Sequence, residues 1–410
     1  MDYLKRREEI YKPLRDEGIF TWDWMYGKEY ALASIYPISP QVKEELGYAS
    51  EQLGEIFANM VEAIQMMDDQ IFLELGIAKD MIAAARMAPL PGITTVIGRF
   101  DFAKTNKGWK MLEFNSDTPG GIVEAFYVNG KVCSYYGKQD PNFNLEDGIT
   151  QAFEQIIKKY IELDYDADKI VFSSLEWHPE DVGTTRYLLN RSQLDASFVP
   201  LKDLRLYKDK LCVLIENQFV PIDILYRLHP LSVLNSEQDI DGFPTGAAVL
   251  KLIAEGNLAL INPPAAIIAQ TKALQALIWN LHEMGEYFTQ KQHEIIESYM
   301  IPTYFENRFL GHSPYVVKPV FGREGGGIGL YAADGSVLAR DLCDSFSDQV
   351  VIYQQMIELE NVKTETFDGM YEGYLLWGSF LLNGKASAIN ARLGGRITDD
   401  ASYFLPICVE

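Results

Sequence analysis

The stretch that most constrains this chain is residues 98–124, GRFDFAKTNKGWKMLEFNSDTPGGIVE. Two runs of strand-forming residues, roughly 95–103 and 109–115, flank the polar segment TNKG at 105–108. Asparagine and glycine tolerate the positive φ that a tight turn needs. The stretch therefore predicts a β-hairpin.

The register of this hairpin brings like charges together. A turn centred near Lys107 sets Asp101 opposite Glu113 and Arg99 opposite Asn115. Directly opposed side chains lie about 4.5–5.5 Å apart at Cβ, where two carboxylates repel each other. A divalent cation would relieve the repulsion, and these oxygen ligands suit Mg²⁺. The alternative is a solvated polar face on which Arg99 neutralises a carboxylate.

Composition argues against several classes of function. The chain has 410 residues, of which 48% are hydrophobic, enough for a large core in about two or three domains. Its net charge of −22, without a basic block, argues against a nucleic-acid or membrane surface. Scattered cysteines and histidines predict neither a disulfide framework nor a zinc site. With no apolar signal core or membrane-length run, we expect a cytoplasmic protein.

The first third of the chain predicts helices around the hairpin. Residues 50–87 have helical periodicity behind Ser50 as a candidate N-cap, and Pro89 and Pro91 end this region. Residues 145–160 predict a second amphipathic helix. The methionines of the first region are interpreted as core filling: Met60, Met66 and Met67.

Residues from about 166 to 264 have a different pattern. The apolar runs KIVFSSL, ASFVPL, LCVLI and ILYRLHPL alternate with polar helical segments, which predicts a small parallel α/β domain. Glu180 and Asp181 follow the first run, where open parallel sheets place ligand groups, although they equally suit the first turn of the next helix. Lys272 begins a later helix on its polar side, where a lone lysine is usually solvated.

The second informative stretch is residues 314–331, PYVVKPVFGREGGGIGLY. A short strand carries Lys318, which can reach phosphate oxygens, and residues 325–327 are glycines that allow close backbone approach. Arg323 adds a second cation to the loop. The motif matches neither GxxxxGK[ST] nor GxGxxG, so the P-loop and Rossmann interpretations fail. A hairpin with a flexible tip is the structural alternative.

The C-terminal region adds a strand and a polar cluster. Residues 350–360, VVIYQQMIELE, form either an ordinary buried strand or one that contacts the base and ribose of a nucleotide. A hairpin turn is predicted at Asn383 and Gly384. A group of polar residues follows beside two glycines: Asn390, Arg392, Arg396 and Asp399.

Together these stretches resemble the synthetase part of the glutathionylspermidine synthase family, an ATP-grasp family of carbon–nitrogen ligases. The motifs are RFD with EFNSDTP, KPVFGREGGGI, VIYQQ and LGGRITDDASYFLP, and they cover nearly the whole chain. The resemblance implies an α/β ATP-grasp fold with circularly permuted motif order, because the metal-binding hairpin precedes the lysine and glycine loop. The implied regions are a helical one at 1–90, a catalytic core at 91–164 and 265–410 with a lid at roughly 300–350, and a small pre-ATP-grasp α/β domain at 165–264.

The resemblance also implies roles for individual residues. Mg²⁺ would be held by Asp101, Glu113 and Asn115. Charge on the transferred phosphoryl group would be stabilised by Arg99 and Arg396. ATP would be bound by Lys272, Lys318, Gly322, Arg323, Gly325, Gly326, Gly327, Tyr353, Gln354 and Gln355. The substrates would be contacted by Asp117, Thr118, Glu180 and Asp181.

Two departures from the family pattern bear on function. Bifunctional members carry an amidase domain before the synthetase, whereas this sequence begins almost at the synthetase, so we expect no amidase activity. Those members also have small hydroxyl residues where glutathione's carboxylate is contacted. Here residues 118–121 read TPGG and retain one hydroxyl.

The leading hypothesis is an ATP-dependent ligase that joins a carboxylate to an amine through an acyl-phosphate. The acid would be a small molecule or a glutathione-like peptide, and the amine a polyamine, with no nucleic-acid or membrane partner. One alternative is an ATP-binding regulatory protein without turnover, which predicts a lost metal ligand or lysine. The other is a phosphotransferase that stops at the phosphorylated acid.

Overall fold

The fold is a computed structural model of the chain, which describes residues 2–87, 92–341, 346–399 and 401–410. The helix-ending prolines predicted at 89 and 91, and the cysteine at 343, lie outside the described residues. Helices and several sheets confirm the mixed α/β class. None of the described helices is both long and apolar enough to cross a bilayer.

Helices and strands are numbered here in chain order. The α-helices are α1 (Tyr3–Asp16), α2 (Pro40–Gln65), α3 (Asp69–Glu74), α4 (Lys79–Ala85), α5 (Asn129–Tyr135), α6 (Asp147–Glu162), α7 (Pro179–Ser192), α8 (Leu231–Leu234), α9 (Thr245–Ala254), α10 (Ala266–Gln270), α11 (Lys272–Met284) and α12 (Gln290–Tyr299). The strands are β1 (Trp24–Met25), β2 (Lys28–Glu29), β3 (Tyr36–Ile38), β4 (Ile97–Thr105), β5 (Gly108–Asn115), β6 (Ile170–Ser174), β7 (Ala196–Phe198), β8 (Leu204–Tyr207), β9 (Lys210–Ile215), β10 (Gln218–Pro221), β11 (Ile224–Leu228), β12 (Ala259–Ile261), β13 (Thr303–Tyr304), β14 (Tyr315–Pro319), β15 (Gly329–Tyr331), β16 (Val337–Arg340), β17 (Val351–Gln355), β18 (Asn361–Thr366), β19 (Gly369–Leu382), β20 (Lys385–Gly394), β21 (Tyr403–Phe404) and β22 (Ile407–Val409).

The central sheet has the order β21-β20-β19-β4-β5, with β18 paired to β19, and all of its pairings are antiparallel. The predicted hairpin is β4–β5, and it has the predicted register: Asp101 opposes Glu113. The register shifts by one residue between Asp101 and Phe102, so that Phe102 opposes Met111 and the turn closes at Thr105. A β-bulge therefore supplies the residue that aligns the two carboxylates.

The opposite face of this hairpin packs against α2. Phe100 and Phe114 stack with ring centroids 3.9 Å apart, and Phe57 of α2 meets Phe100 edge-on at 5.6 Å. Such aromatic contacts bury much apolar area and favour these geometries. Because side chains alternate along β4, burial of Phe100 directs Arg99 and Asp101 to the other face of the sheet.

Two predictions about α2 are wrong. The helix begins at Pro40, since proline suits the first helical turn, and Ser50 lies inside it. Ser50 is buried there and donates a hydrogen bond to the Ser379 hydroxyl, 2.7 Å away. The three methionines predicted as core filling also differ in burial. Met60 is buried, whereas Met66, after the helix end, is 86% exposed, and Met67 is exposed too.

The parallel sheet has the order β12-β11-β6-β7. Three of the four apolar runs predicted for it supply β6, β7 and β11. The run LCVLI instead forms β9 of a separate antiparallel sheet, β10-β9-β8, and β12 completes the parallel sheet. The predicted helix at 145–160 is α6.

The loop-bearing sheet has the order β13-β17-β14-β15-β16. Lys318 lies on β14 opposite Ile352 of β17, and the loop between β14 and β15 carries residues 322–327, the glycine loop. The hairpin turn between β19 and β20 has Asn383 at φ 48° and Gly384 at φ 77°, as the sequence predicts. Strand pairing thus places Lys318 beside the strand that was predicted to contact the nucleotide.

Replacement of Phe100 by Ala should lower the free energy of unfolding by about 3–5 kcal/mol, because it leaves a cavity beneath the hairpin. Chemical denaturation of both proteins measures the difference. The control is Phe143→Ala at a side chain that is 73% exposed, which should change stability by less than about 0.5 kcal/mol. Equal effects of the two substitutions would contradict the packing described.

Candidate active site

A cavity of about 970 Å³ lies where the central, parallel and loop-bearing sheets meet. Most residues predicted for the site line it: Arg99, Asp101, Glu113, Asn115, Thr118, Glu180, Asp181, Lys318, Arg323, Gly325, Gln354, Gln355 and Arg396. The remaining predicted residues do not line it: Asp117, Lys272, Gly322, Gly326, Gly327 and Tyr353.

Asp101 is the best-held carboxylate of the cavity. Arg99 donates to it through Nε at 2.6 Å and Nη2 at 2.9 Å, and Arg392 donates through Nη2 at 2.7 Å. The Asn115 amide lies 3.4 Å from Asp101 Oδ2 and 3.3 Å from Glu113 Oε1. Oxygens of both carboxylates therefore converge on the side chain of Asn115.

Glu113 is paired with lysines. Lys272 Nζ lies 3.1 Å from Glu113 Oε2 and donates to the Gly322 carbonyl at 2.6 Å. Burial alone raises the pKa of Glu113, but Lys272, Lys318 and Arg392 outweigh it and lower that pKa to about 2. Burial lowers the pKa of Lys318 to about 8, although Glu113 opposes the change. Positive and negative side chains therefore lie close together in a part of the site that is shielded from water.

The donor set fits a magnesium ion. No group of three His, Cys, Asp or Glu side chains in the described part of the chain is arranged to hold a metal. The two carboxylates and the Asn115 amide supply hard oxygens on one side only, and Mg²⁺ commonly keeps waters and substrate phosphates as its other ligands. Rotation of the Asn115 amide by 180° would present its oxygen at the same place.

Gly378 on β19 leaves space for the Arg99 side chain of the neighbouring strand β4. Gly378 opposes Asp101 on one side and Asn390 on the other. A Cβ atom at Gly378 would lie 2.8 Å from Arg99 Cδ and 2.2 Å from Asn390 Oδ1, closer than real contacts allow. The Arg99 side chain thus lies over a residue without a side chain.

The glycine loop is docked against the C-terminal segment. A Cβ atom at Gly325 would lie 2.4 Å from the Thr398 carbonyl oxygen, and Gly325 has φ 74°. The Gly327 amide donates to Asp341 Oδ2 at 2.9 Å, and Glu324 has φ 53°, which is uncommon for a residue with a side chain. This conformation places Arg323 and Glu324 on the cavity wall.

The loop after β5 is held by residues of β11, α8 and α10. Asp117 is ion-paired with Arg227 and accepts a hydrogen bond from the Leu231 amide at 2.8 Å. Gln270 Oε1 accepts from the Ser116 and Asp117 amides at 2.9 and 3.1 Å. Both carboxylate oxygens of Asp117 therefore have partners, and Asp117, for which a substrate contact is predicted, does not line the cavity.

The far end of the cavity is acidic and aromatic. Glu180 Oε1 lies 3.2 Å from where a Cβ of Gly120 would be, and Arg99 Nη1 donates to the Gly120 carbonyl at 2.7 Å. Burial, then neighbouring carboxylates, raises the pKa of Glu180 to about 8. The hydrogen bond to Asp181 raises the pKa of His178, whose Nε2 lies 3.3 Å from the Tyr26 hydroxyl.

The glutathionylspermidine synthase preATP-grasp family model matches residues 1–410, the whole chain. The chain belongs to the glutathionylspermidine synthase family. A Haemophilus influenzae protein named "Putative acid–amine ligase" is 24% identical over 322 residues, covering 75% of this chain and 73% of that protein. The family match confirms the resemblance that the sequence predicted.

A solved structure supports the fold. A glutathione synthetase-like effector from Globodera pallida, in its apo form, superposes with a TM-score of 0.60 at 12% identity. The match covers 100% of this chain and 98% of that one. This likeness confirms the predicted ATP-grasp fold class and, at such low identity, bears on the fold alone.

Sequence reasoning gave no role to Arg392, and it placed Lys272 in the site only through the family resemblance. Arg392 contacts Asp101, whereas Arg396, to which the resemblance gave a catalytic role, is exposed. Alternation along β20 carried a signal, since Asn390 pairs opposite Gly378 and Arg392 is two residues farther along the same face. Lys272 is buried and bonded, contrary to the solvated lysine that its sequence context predicts.

Replacement of Glu113 by Gln should destabilise the metal-free protein by about 2–3 kcal/mol at pH 7, since its pKa is lowered in the folded state. The wild-type advantage should disappear as the pH falls from about 4.5 to about 2, the interval between ordinary and folded pKa values. Denaturation in chelator across this range measures it. The exposed Glu44→Gln is the control, and a constant wild-type advantage down to pH 2 would contradict the pairing.

Proposed function

We propose that this protein is an ATP-dependent carbon–nitrogen ligase that joins a carboxylate to an amine through an acyl-phosphate, releasing ADP and phosphate. Family membership and the acid–amine ligase assignment of its relative support a ligase in general. The observation that carries the proposal is the cavity itself. Its cation-rich end and its acidic end are joined by Arg99, which contacts both Asp101 and Gly120.

The cation-rich end has the residues that ATP phosphates require. Asp101, Glu113 and Asn115 would hold Mg²⁺, which when bound neutralises phosphate charge. Lys318 reaches this end from β14 and donates to the Leu112 carbonyl at 3.4 Å, so a phosphate oxygen would replace a weak contact. Gln354 and Gln355 line the same cavity from β17 and would contact the nucleotide.

The reaction would proceed in two displacements. A carboxylate oxygen of the acid attacks the γ-phosphorus of ATP, and the bond to the leaving ADP oxygen breaks. The amine nitrogen then attacks the acyl carbon, the bond to phosphate breaks, and the nitrogen gives up a proton. Glu180 is the carboxylate of the acidic end that lies beside the Gly120 loop, so it is placed to receive that proton.

The glycine loop would protect the intermediate. Acyl-phosphates hydrolyse readily, so a ligase must exclude water while the amine enters. Gly325 approaches the Thr398 backbone too closely for any side chain, and Arg323 faces the cavity. Closure over the phosphates is therefore built from residues that allow close backbone contact.

We infer that Arg392, in place of the predicted Arg396, stabilises the transferred phosphoryl group together with Arg99. Both Arg99 and Arg392 donate to Asp101 and flank the proposed metal position. Arg396 lines the cavity but is exposed and makes no ion pair within the described residues. Preorganised donors are the ones that lower the barrier to phosphoryl transfer.

The proposed ligase function predicts that ADP release requires an acid and an amine together. A screen pairs carboxylates, including glutathione and glutamate, with amines, including spermidine and ammonia, and mass spectrometry identifies the product. ADP release that is independent of any amine would favour the phosphotransferase alternative. Binding of ATP without turnover for any pair would favour the regulatory one.

In the pair that reacts, Glu113→Ala should abolish Mg²⁺-dependent ADP release, because a carboxylate of the metal position is lost. Circular dichroism and thermal unfolding check that the protein remains folded. Glu44→Ala, at an exposed position, should retain wild-type turnover. Retained activity in Glu113→Ala would show that the metal assignment is wrong.

Replacement of Arg392 by Ala should lower kcat by about 100-fold or more, the loss typical of a preorganised donor. Arg396→Ala is the matched comparison, and we expect it to lower kcat by less than about tenfold because that side chain is exposed. Steady-state kinetics with saturating ATP separates the two. A larger loss in Arg396→Ala would restore the role that the family resemblance gave to Arg396.

A further inference from the structure

Glu124 is a buried carboxylate that the proposed reaction does not use. It lies in the π-helical turn Glu124–Val128 before α5 and is 0% exposed. Its Oε1 accepts hydrogen bonds from Trp22 Nε1 at 2.8 Å and from the Tyr30 hydroxyl at 3.1 Å. Its Oε2 has no hydrogen-bond partner among the described residues. A carboxylate oxygen left unpaired in the interior is costly and requires a reason.

The partners of Glu124 form one side of the cavity. Tyr30 lines the cavity directly. Trp22 packs on α7, where a Cβ atom at Gly183 would lie only 2.0 Å from the indole ring, so only glycine fits. Helix α7 carries Glu180 in its first turn. Glu124 is therefore the point at which the N-terminal segment, the loop after the hairpin and α7 are fastened together.

We propose that Glu124 is a positioning residue for the amine-accepting side of the cavity, which holds Trp22 and Tyr30 in place beside the helix that carries Glu180. This inference rests on the proposed ligase function. Beside an arriving ammonium group Glu180 ionises and releases its proton to solvent, and the ammonium group then loses one proton to solvent and becomes the uncharged nucleophile. When the uncharged nitrogen attacks the acyl carbon, the proton that it loses passes to Glu180.

Electrostatics also links Glu124 to Glu180. Burial, followed by the charge of Glu124, raises the pKa of Glu180, and burial also raises the pKa of Glu124. The charge of one carboxylate favours the protonated form of a second carboxyl group that is desolvated nearby. The other groups that act on this pair come from three more elements and from α7 itself: Tyr30, Arg99, Glu324, His178 and Asp181.

Difference infrared spectroscopy of the free enzyme tests the proposal without substrate. We expect a protonated-carboxyl band that titrates near pH 8, and Glu180→Gln should remove it. Glu124→Gln keeps the side-chain shape but removes the charge, so it should move the titration of Glu180 down by roughly one pH unit. A titration that Glu124→Gln leaves unchanged would overturn the proposal.

A second variant covers the case in which Glu124→Gln does not fold. Tyr30→Phe removes a hydrogen bond that favours the ionised form of Glu124, so it should move the Glu180 titration in the same direction by less. Unchanged titration in Tyr30→Phe would equally count against the proposal. Neither measurement depends on which acid or amine is used.

Hydroxylamine separates the amine step from activation of the acid. This small uncharged nucleophile traps an acyl-phosphate as a hydroxamate without a cationic recognition site. With glutathione as the acid probe and spermidine as the amine probe, Glu124→Gln should lower the ratio of amide to hydroxamate by roughly tenfold. An unchanged ratio would overturn the role of Glu124. Absence of hydroxamate with every acid in the wild type would instead overturn the ligase function, while the infrared result would still decide the carboxyl pair.

Discussion

The whole site depends on the double arginine clamp of Asp101. This carboxylate is 2% exposed and receives hydrogen bonds from Arg99 and Arg392, which come from different strands of the central sheet. A buried charge is tolerable only when it is paired, and removal of one partner typically costs about 3–5 kcal/mol. The clamp therefore fixes the relative positions of β4 and β20, although β19 lies between them. It requires a residue without a side chain at Gly378, the place where Arg99 crosses.

The charge arrangement explains how so acidic a protein could bind ATP. Its net charge is −22, yet Arg99, Arg392 and Lys318 line a single cavity, and Lys272 is ion-paired with Glu113 of the same cavity. Their charges are balanced by Asp101 and Glu113 in the structure. Asp101 and Glu113 would also be the metal ligands. The metal would therefore replace cationic side chains beside these carboxylates, and the phosphates would pair with the cationic side chains that are released. Lys272, for instance, would exchange Glu113 for phosphate oxygens.

Local patterns predicted the hairpin, whereas long-range contacts were beyond them. Alternation and turn chemistry placed Asp101 opposite Glu113, but the bulge beside Phe102, on which that register depends, left no signal in the sequence. The local pattern gave no reason to single out Lys272, because the pattern of α11 does not contain its partners Glu113 and the Gly322 carbonyl; only the family resemblance assigned it to ATP. Sequence patterns could not separate Arg392 from Arg396, because they do not show that β20 ends at Gly394. Arg392 lies within the strand and is held on the face of Asp101, whereas Arg396 lies beyond its end. Ser50 misled for the same reason: its partner, Ser379, is in a strand far along the chain.

One arginine links the two ends of the cavity, and this sets where chemistry can take place. Arg99 holds Asp101 through Nε and Nη2 and the Gly120 carbonyl through Nη1. Gly120 in turn lies against Glu180, so the metal position and the acidic end are separated by a single guanidinium and a glycine backbone. An acyl-phosphate formed beside Arg99 would thus have its carbonyl carbon within reach of a nucleophile that approaches from Glu180. A Cβ atom at Gly120 or Gly121 would meet Glu180 or Asn390, so the backbone of the TPGG segment fits closely at that junction, and its shape would select the acid.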